Sequence, residues 1–414
     1  MLNMAEITSV KIHVLKIPVK IRLSTGRVGE TSHLITEVHT DNGVVGFGEG
    51  TPYVIRAKSM TNIYNCYMLC RKIVKKLEGK QLSDARDLLP QMQNDFMEKS
   101  SFDYGPFLAL ETSIIDAISK SDEVPFAEIL GGSYRDRVPV SGTVFLSSPK
   151  NMAKTAQRWV SKGVMHLKVK VVGKNEVDST NLKYIRDAVG FDPLIRIDAN
   201  GAYETADKAT EAINNLERYK IAIVEQPILW DDLKGLRKLR RVVAPKVMVD
   251  ESLKVPLDVE LISEKEVADI INFHPSKLGC LSVTREAIER TVDLGLEYMI
   301  GSAVMTGIGV AAHLHLAASM EKLHYPNEEI GLYEMFSKDI VANPLRIVNG
   351  CIEVPRDYGV GVRIDGEKMK EYNVNTNYIR GFFICAAYRG FIRSPSFVKA
   401  VARKGLSTVK DFVF

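Results

Sequence analysis

Apolar runs recur at a near-constant interval between His166 and Lys277, and each closes on residues that can do chemistry. His166–Lys170 ends in two lysines, Lys168 and Lys170. Leu194–Asn200 ends in Asp198 and Asn200, Ile221–Glu225 in an acid, and Val247–Glu251 in two acids. A fifth run, Ile270–His274, ends in a histidine. From Lys170 the steps are 28, 27, 25 and 24 residues. One strand, one helix and two loops fill such an interval, so each run is predicted to hold the same place in a repeated β/α unit. Charges at the carboxyl ends of parallel strands converge on one rim of a barrel.

Upstream, residues 6–55 read as strands. Ile12–Ile17 and His33–His39 are β-rich, and Asp41–Asn42–Gly43 is a hairpin turn. Ile21–Glu30 reads as a polar loop, and Gly46–Gly50 as a flexible, close-packed corner. Helical periodicity covers 58–78, 82–97 and 107–120, with Ser83 as a cap. The alternating β/α pattern begins at Val138–Phe145. It runs through helices 149–162 and 178–189 to a strand at Tyr298–Ser302, a helix at 309–321 and a strand near Leu332–Met335. Gly350–Asp365 is again β-rich and is expected to return to the first unit. The domains expected are 1–125, an α+β unit; 126–349, the repeat; 350–374, the return; and 375–414, a basic, aromatic extension.

Composition changes little in this picture. The 414 residues suffice for a large core. No apolar run is long enough to span a bilayer and no signal-peptide pattern opens the chain, so cytoplasmic residence is expected. Five scattered cysteines complete no zinc site and read as reduced. The net charge of +4 is unevenly placed. Residues 375–414 hold seven Lys/Arg and one Asp, a net of +6, which leaves about −2 for the rest. Neither a nucleic-acid nor a membrane partner is expected. The extension reads as a cover over the barrel or a subunit contact, and a homo-oligomer is expected.

The strand ends carry the candidate chemistry. Any one of Asp198, Glu225 and Asp250 alone reads as a solvated acid. Three at matched positions repel one another unless a cation lies between them, and oxygen-only ligands favour magnesium or manganese. Lys168 and Lys170 alternate on a strand and so face one side, the barrel interior. Their mutual repulsion is expected to lower the pKa of one amine, making it a competent base.

Lys168-Val-Lys170, Asp198-Ala-Asn200, Glu225-Gln-Pro227, Asp250-Glu-Ser252 and Gly301–Gly307 together resemble the enolase superfamily, and most of all its muconate-lactonizing branch. The resemblance covers roughly residues 6–370. It implies an α/β fold, a (β/α)7β TIM-like barrel with an N-terminal α+β capping domain. It implies Mg²⁺, with Mn²⁺ as an alternative, held by Asp198, Glu225 and Asp250. The ion would bind a small-molecule carboxylate and stabilise an enediolate after Lys170, assisted by Lys168, removes the α-proton. Asn200 and Glu251 are carried over as supporting residues.

The chain departs from the branch at one place. Where a second lysine usually ends the sixth strand stands His274, with Lys277 three residues on. His274 is read as an acid/base, a substrate hydrogen-bond donor or a polar strand-end residue. No histidine ends the seventh strand, and His313 and His315 are expected to pack within a helix. Glu334, near the expected eighth strand, resembles an acid that some cycloisomerases carry there; no Asp-x-Asp pair accompanies it. Arg22, Arg27 and Arg56 lie in loops where selectivity is expected. The expected activity is a cycloisomerase. The alternatives are an N-acylamino-acid racemase, an o-succinylbenzoate-synthase-like dehydratase, a dipeptide epimerase, and a catalytically silent metal-binding barrel.

Overall fold

The computed structural model describes residues 5–23, 26–52, 59–97, 104–329 and 339–374. Strands β1 (Ile7–Leu23), β2 (Gly26–Thr40) and β3 (Val45–Gly50) form an antiparallel sheet in the order β1-β2-β3. The Asp41–Asn42–Gly43 turn joins the last two, with Gly43 at φ +83°. Two expectations change here. Ile21–Glu30 is the far end of a long hairpin, with Ile21 opposite Val28 and Leu23 opposite Gly26. Its polar residues sit on a two-stranded ribbon, where neither face needs an apolar pattern. Gly46–Gly50 is a strand, not a corner. Gly46, Gly48 and Gly50 lie against backbone carbonyls of the third helix, and a Cβ on any of them would collide with Ser113, Ala109 or Gly105.

Helices α1 (Ser59–Leu77), α2 (Leu82–Met97) and α3 (Gly105–Ser121) complete this unit. Ser83 lies inside the first turn of α2 and so does not precede it as a cap. Cys66 and Cys70 are buried in this unit's core.

After β4 (Arg137–Pro139) come seven parallel strands in unbroken spatial order. They are β5 (Gly142–Val144), β6 (His166–Lys170), β7 (Leu194–Asp198), β8 (Ile221–Glu225), β9 (Lys246–Val249), β10 (Ile270–Phe273) and β11 (Glu297–Ile300). Amphipathic helices between them cover the outside. The eighth position is filled by Asn327 and Glu328. The Glu328 amide donates to the Ile300 carbonyl beside β11, and Asn327 bonds the Pro139–Ser141 stretch beside β5. The strand expected at Leu332–Met335 lies outside the described residues, as do residues 375–414; the closure itself comes earlier.

Downstream, β12 (Ile347–Val348) and β13 (Cys351–Glu353) add to β4 in the order β12-β13-β4. The chain then reaches the first sheet, where the Val374 amide donates to the Val14 carbonyl at 2.8 Å. The helix Gly307–Ser319 is buried along its whole length. Within it His313 pairs with Glu329, and the His315 ring stands 5.5 Å from that of Phe126, so both are packing residues as expected. Among the described residues no helix is long and apolar enough to cross a membrane.

Candidate active site

Parallel register places the chemistry. Lys170 lies opposite Asp198, and Asp198 opposite Glu225, on neighbouring strands. Asp250 follows the end of β9, and His274 follows the end of β10. Ile223, Met248, Ile270 and Met299 form a small apolar cluster inside the barrel.

Two lysines share Asp198. Lys170 Nζ is 2.5 Å from Asp198 Oδ2 and 2.9 Å from Asn200 Oδ1. Lys168 Nζ is 2.8 Å from the same Asp198 oxygen, 3.3 Å from Glu225 Oε1 and 2.9 Å from Glu328 Oε1. Burial pulls the Lys168 amine down, but Asp198, Glu225 and Glu328 outweigh it and hold it well above the usual lysine range. The lowering expected from mutual repulsion therefore does not occur at Lys168, because three acids surround it.

Sequence reasoning missed Glu328 and Arg196. Arg196 is fully buried inside the barrel. Its guanidinium lies 2.8 Å from Glu328 Oε2 and 3.1 Å from Glu225 Oε2, and donates to the sulfurs of Met248 and Met299. It stands two residues before Asp198, so the alternation that turned Lys168 inward predicts it as well. Glu328 follows Pro326 in a polar segment with no apolar run to mark a strand.

The remaining groups sit on the same rim. Asn272 donates to Glu225 Oε1 at 2.9 Å, and Asn200 donates to Glu251 Oε1 at 2.9 Å. Asn200 and Gln226, each just past a strand end, hold left-handed φ values of +46° and +37°. The Asn200 amide bonds its neighbour's Asp198 Oδ1, and the Gln226 carboxamide accepts the amides of Asp250 and Ser252, which offset that strain. Lys277 donates to the Asp250 carboxylate and, at 2.6 Å, to its main-chain oxygen. His274 Nε2 is 3.3 Å from Asp250 Oδ1, and burial lowers the imidazole to about 4. His274 and Lys277 are thus both brought to Asp250. Glu334, Arg22, Arg27 and Arg56 have side chains outside the described residues.

The charge balance is tight. Among the described residues five carboxyl groups (Asp198, Glu225, Asp250, Glu251 and Glu328) meet four cations (Lys168, Lys170, Arg196 and Lys277), all buried. Burial, then repulsion from Asp250 and Asp198, raises the Glu251 carboxyl well above its ordinary value. In this arrangement no three acid, histidine or cysteine side chains among the described residues converge closely enough to hold a metal ion, and ammonium groups contact both Asp198 and Asp250.

Two sequence families match. One is described as the mandelate racemase / muconate lactonizing enzyme N-terminal domain, over residues 4–131, and the other as the enolase C-terminal domain-like family, over residues 151–369. The chain belongs to the enolase superfamily. It is an isomerase-type enzyme, with a capping domain on a TIM-like barrel, as the sequence motifs implied. The N-succinyl-L-Arg/Lys racemase of Bacillus cereus is 25% identical over 381 residues, 91% of this chain and 100% of that one. A dipeptide epimerase of Enterococcus faecalis, solved with Mg and the dipeptide L-Leu-L-Tyr, is 26% identical with a TM-score of 0.79, covering 86% of this chain and 99% of its own. The muconate lactonizing enzyme of Pseudomonas fluorescens, solved with muconolactone, shares the fold at 21% identity and a TM-score of 0.82, over 90% and 100% of the two chains.

Proposed function

We propose that this superfamily member removes the proton α to the carboxylate of a small substrate, with Lys170 as the base and a divalent cation, Mg²⁺ or alternatively Mn²⁺, at Asp198, Glu225 and Asp250. The observation that carries the reading is the unequal pairing of the two lysines. Lys168 is pinned as an ammonium by three acids. Lys170, nearer the rim on the same face of β6, meets one acid and one amide. Lys168 then supplies fixed positive charge, and Lys170 is the amine that exchanges a proton.

The donor set fits a hard cation. It offers three carboxylates and no sulfur on neighbouring strand ends, and Glu225 Oε2 is paired with the Arg196 guanidinium at 3.1 Å without a hydrogen bond. To bind the ion, Asp198 would exchange a lysine contact for it, and Asp250 would turn its other carboxylate oxygen to it while Lys277 keeps Oδ1 and the main-chain oxygen. Bound there, Mg²⁺ would offset the negative charge that the substrate carboxylate gains as the proton leaves. Asn200 and Glu251 would steady the ligands from behind.

Chemistry on one face is the reading the site favours. Opposite the lysine strand stands His274, its imidazole held below its ordinary value by burial, in the place where the branch usually has a second lysine. Cycloisomerisation and syn-elimination run with one principal lysine, whereas racemisation needs acid/base groups on both faces. A second reading, a racemase or epimerase using His274, draws support from the racemase and epimerase relatives. Turnover of N-succinylamino acids, dipeptides and cis,cis-muconate, followed by chiral chromatography, tests the pair. Lactonisation or elimination that survives His274→Ala supports chemistry on one face. Racemisation abolished by His274→Ala supports the second reading and overturns the first.

A further inference from the structure

The barrel segment that carries Lys277 is held by the capping domain. Pro275–Leu278 is a single helical turn, which has little stability of its own. Three side chains of the capping domain grip it and the residues that follow. Thr51 Oγ1 is 3.0 Å from Ser276 Oγ. The Glu111 carboxylate accepts the Ser282 amide and hydroxyl. Gln93, on α2 and fully buried, does the most: its Nε2 donates to the Leu278 carbonyl at 2.6 Å, and its Oε1 accepts the Cys280 amide at 2.8 Å.

Between those two backbone groups lies Gly279, at φ +90°, where a Cβ would collide with Gln93 Oε1. A primary amide satisfies both backbone groups at once, whereas a carboxylate lacks the donor and a thioether lacks the donor and is only a weak acceptor. From the turn so fixed, the Lys277 ammonium reaches the Asp250 carboxylate and its main-chain oxygen. A capping-domain amide is thus connected to Asp250 through one turn and one lysine.

We propose that Gln93 is a positioning residue for the barrel's cation site, setting through Lys277 where the Asp250 carboxylate stands. The inference rests on Asp250 being a ligand, as argued above. Carboxylates behind metal ligands, and the groups that aim them, commonly govern affinity about tenfold or more.

The test is Mg²⁺ titration of the full chain by calorimetry, with the thermal midpoint measured alongside. Gln93→Met keeps the shape and loses both hydrogen bonds; Gln93→Glu keeps the acceptor only. The dissociation constant is expected to rise about tenfold in Gln93→Met and by less in Gln93→Glu. A lower midpoint with unchanged or tighter Mg²⁺ binding would make Gln93 a simple staple between domains and overturn the proposal. If Gln93→Met does not fold, Gln93→Glu and Ser276→Ala, which loosens the same turn at Thr51, carry the comparison and must both weaken binding. If wild type binds no Mg²⁺, the assignment of Asp250 falls first and the inference falls with it. That outcome is distinct from an intact wild-type site indifferent to Gln93.

Discussion

Arg196 and Glu328 form an ion pair inside the barrel, Nη2 to Oε2 at 2.8 Å, beneath the lysine that the sequence motifs single out. Lys168 takes the other Glu328 oxygen at 2.9 Å. One acid from the closing strand position therefore balances two buried cations. Replacing it with an apolar group leaves both short of a partner. Glu328→Leu is expected to lower stability by about 3–5 kcal/mol. Adding Arg196→Met should restore part of that loss, since an apolar pair replaces a broken ionic one. Urea denaturation of the single and double variants measures it; an additive double variant would contradict the pairing.

Gly301 makes room for His274. A Cβ there would press on His274 Nε2 and Asn272 Oδ1, so the residue after β11 must be glycine for the imidazole to stand beside Asp250. Gly301→Ala is expected to cost about 1–3 kcal/mol of stability and to displace His274. The histidine NMR resonance lost in His274→Ala should shift in Gly301→Ala, and a spectrum unchanged at that resonance would refute the packing.

Glu111 gives stability a pH slope. Burial raises its carboxyl to about 7, against which the Ser282 hydrogen bonds act. The unfolded group titrates near 4.5. Between these values the folded chain binds the extra proton, so stability falls as pH rises from 4.5 to 7 and stays at the lower level above. The loss is at most about 3 kcal/mol. Glu111→Gln should flatten that window in denaturation curves taken from pH 4.5 to 8; an unchanged slope would place its origin elsewhere.

A cation that binds only the folded chain stabilises it. At one hundred times its dissociation constant, Mg²⁺ is expected to add about 2.7 kcal/mol, a rise of several degrees in the thermal midpoint. Asp250→Asn and Glu225→Gln should each reduce that rise sharply. An equal rise in both variants would place the ion elsewhere.

Much of this arrangement is legible in the chain. The near-equal steps from Lys170 to His274 put five residues on consecutive strand ends, and parallel register brings Lys170, Asp198 and Glu225 side by side. Arg196 was equally legible, since it alternates with Asp198 as Lys168 does with Lys170. Glu328 was not, because a strand position two residues past a proline, held by two neighbours, leaves no apolar alternation. The hairpin through Ile21–Glu30 was hidden for a related reason: a two-stranded ribbon need not bury a face. Gln93 and Gly279, 186 residues apart, meet only through the tertiary fold, and neither residue type announces such a contact.

The most direct measurement is incorporation of solvent deuterium at the α-carbon of a panel of small carboxylates, with Mg²⁺, in wild type and Lys170→Ala. The account predicts exchange in wild type and a loss of about a hundredfold or more in Lys170→Ala. Exchange that persists undiminished without the Lys170 amine would contradict it.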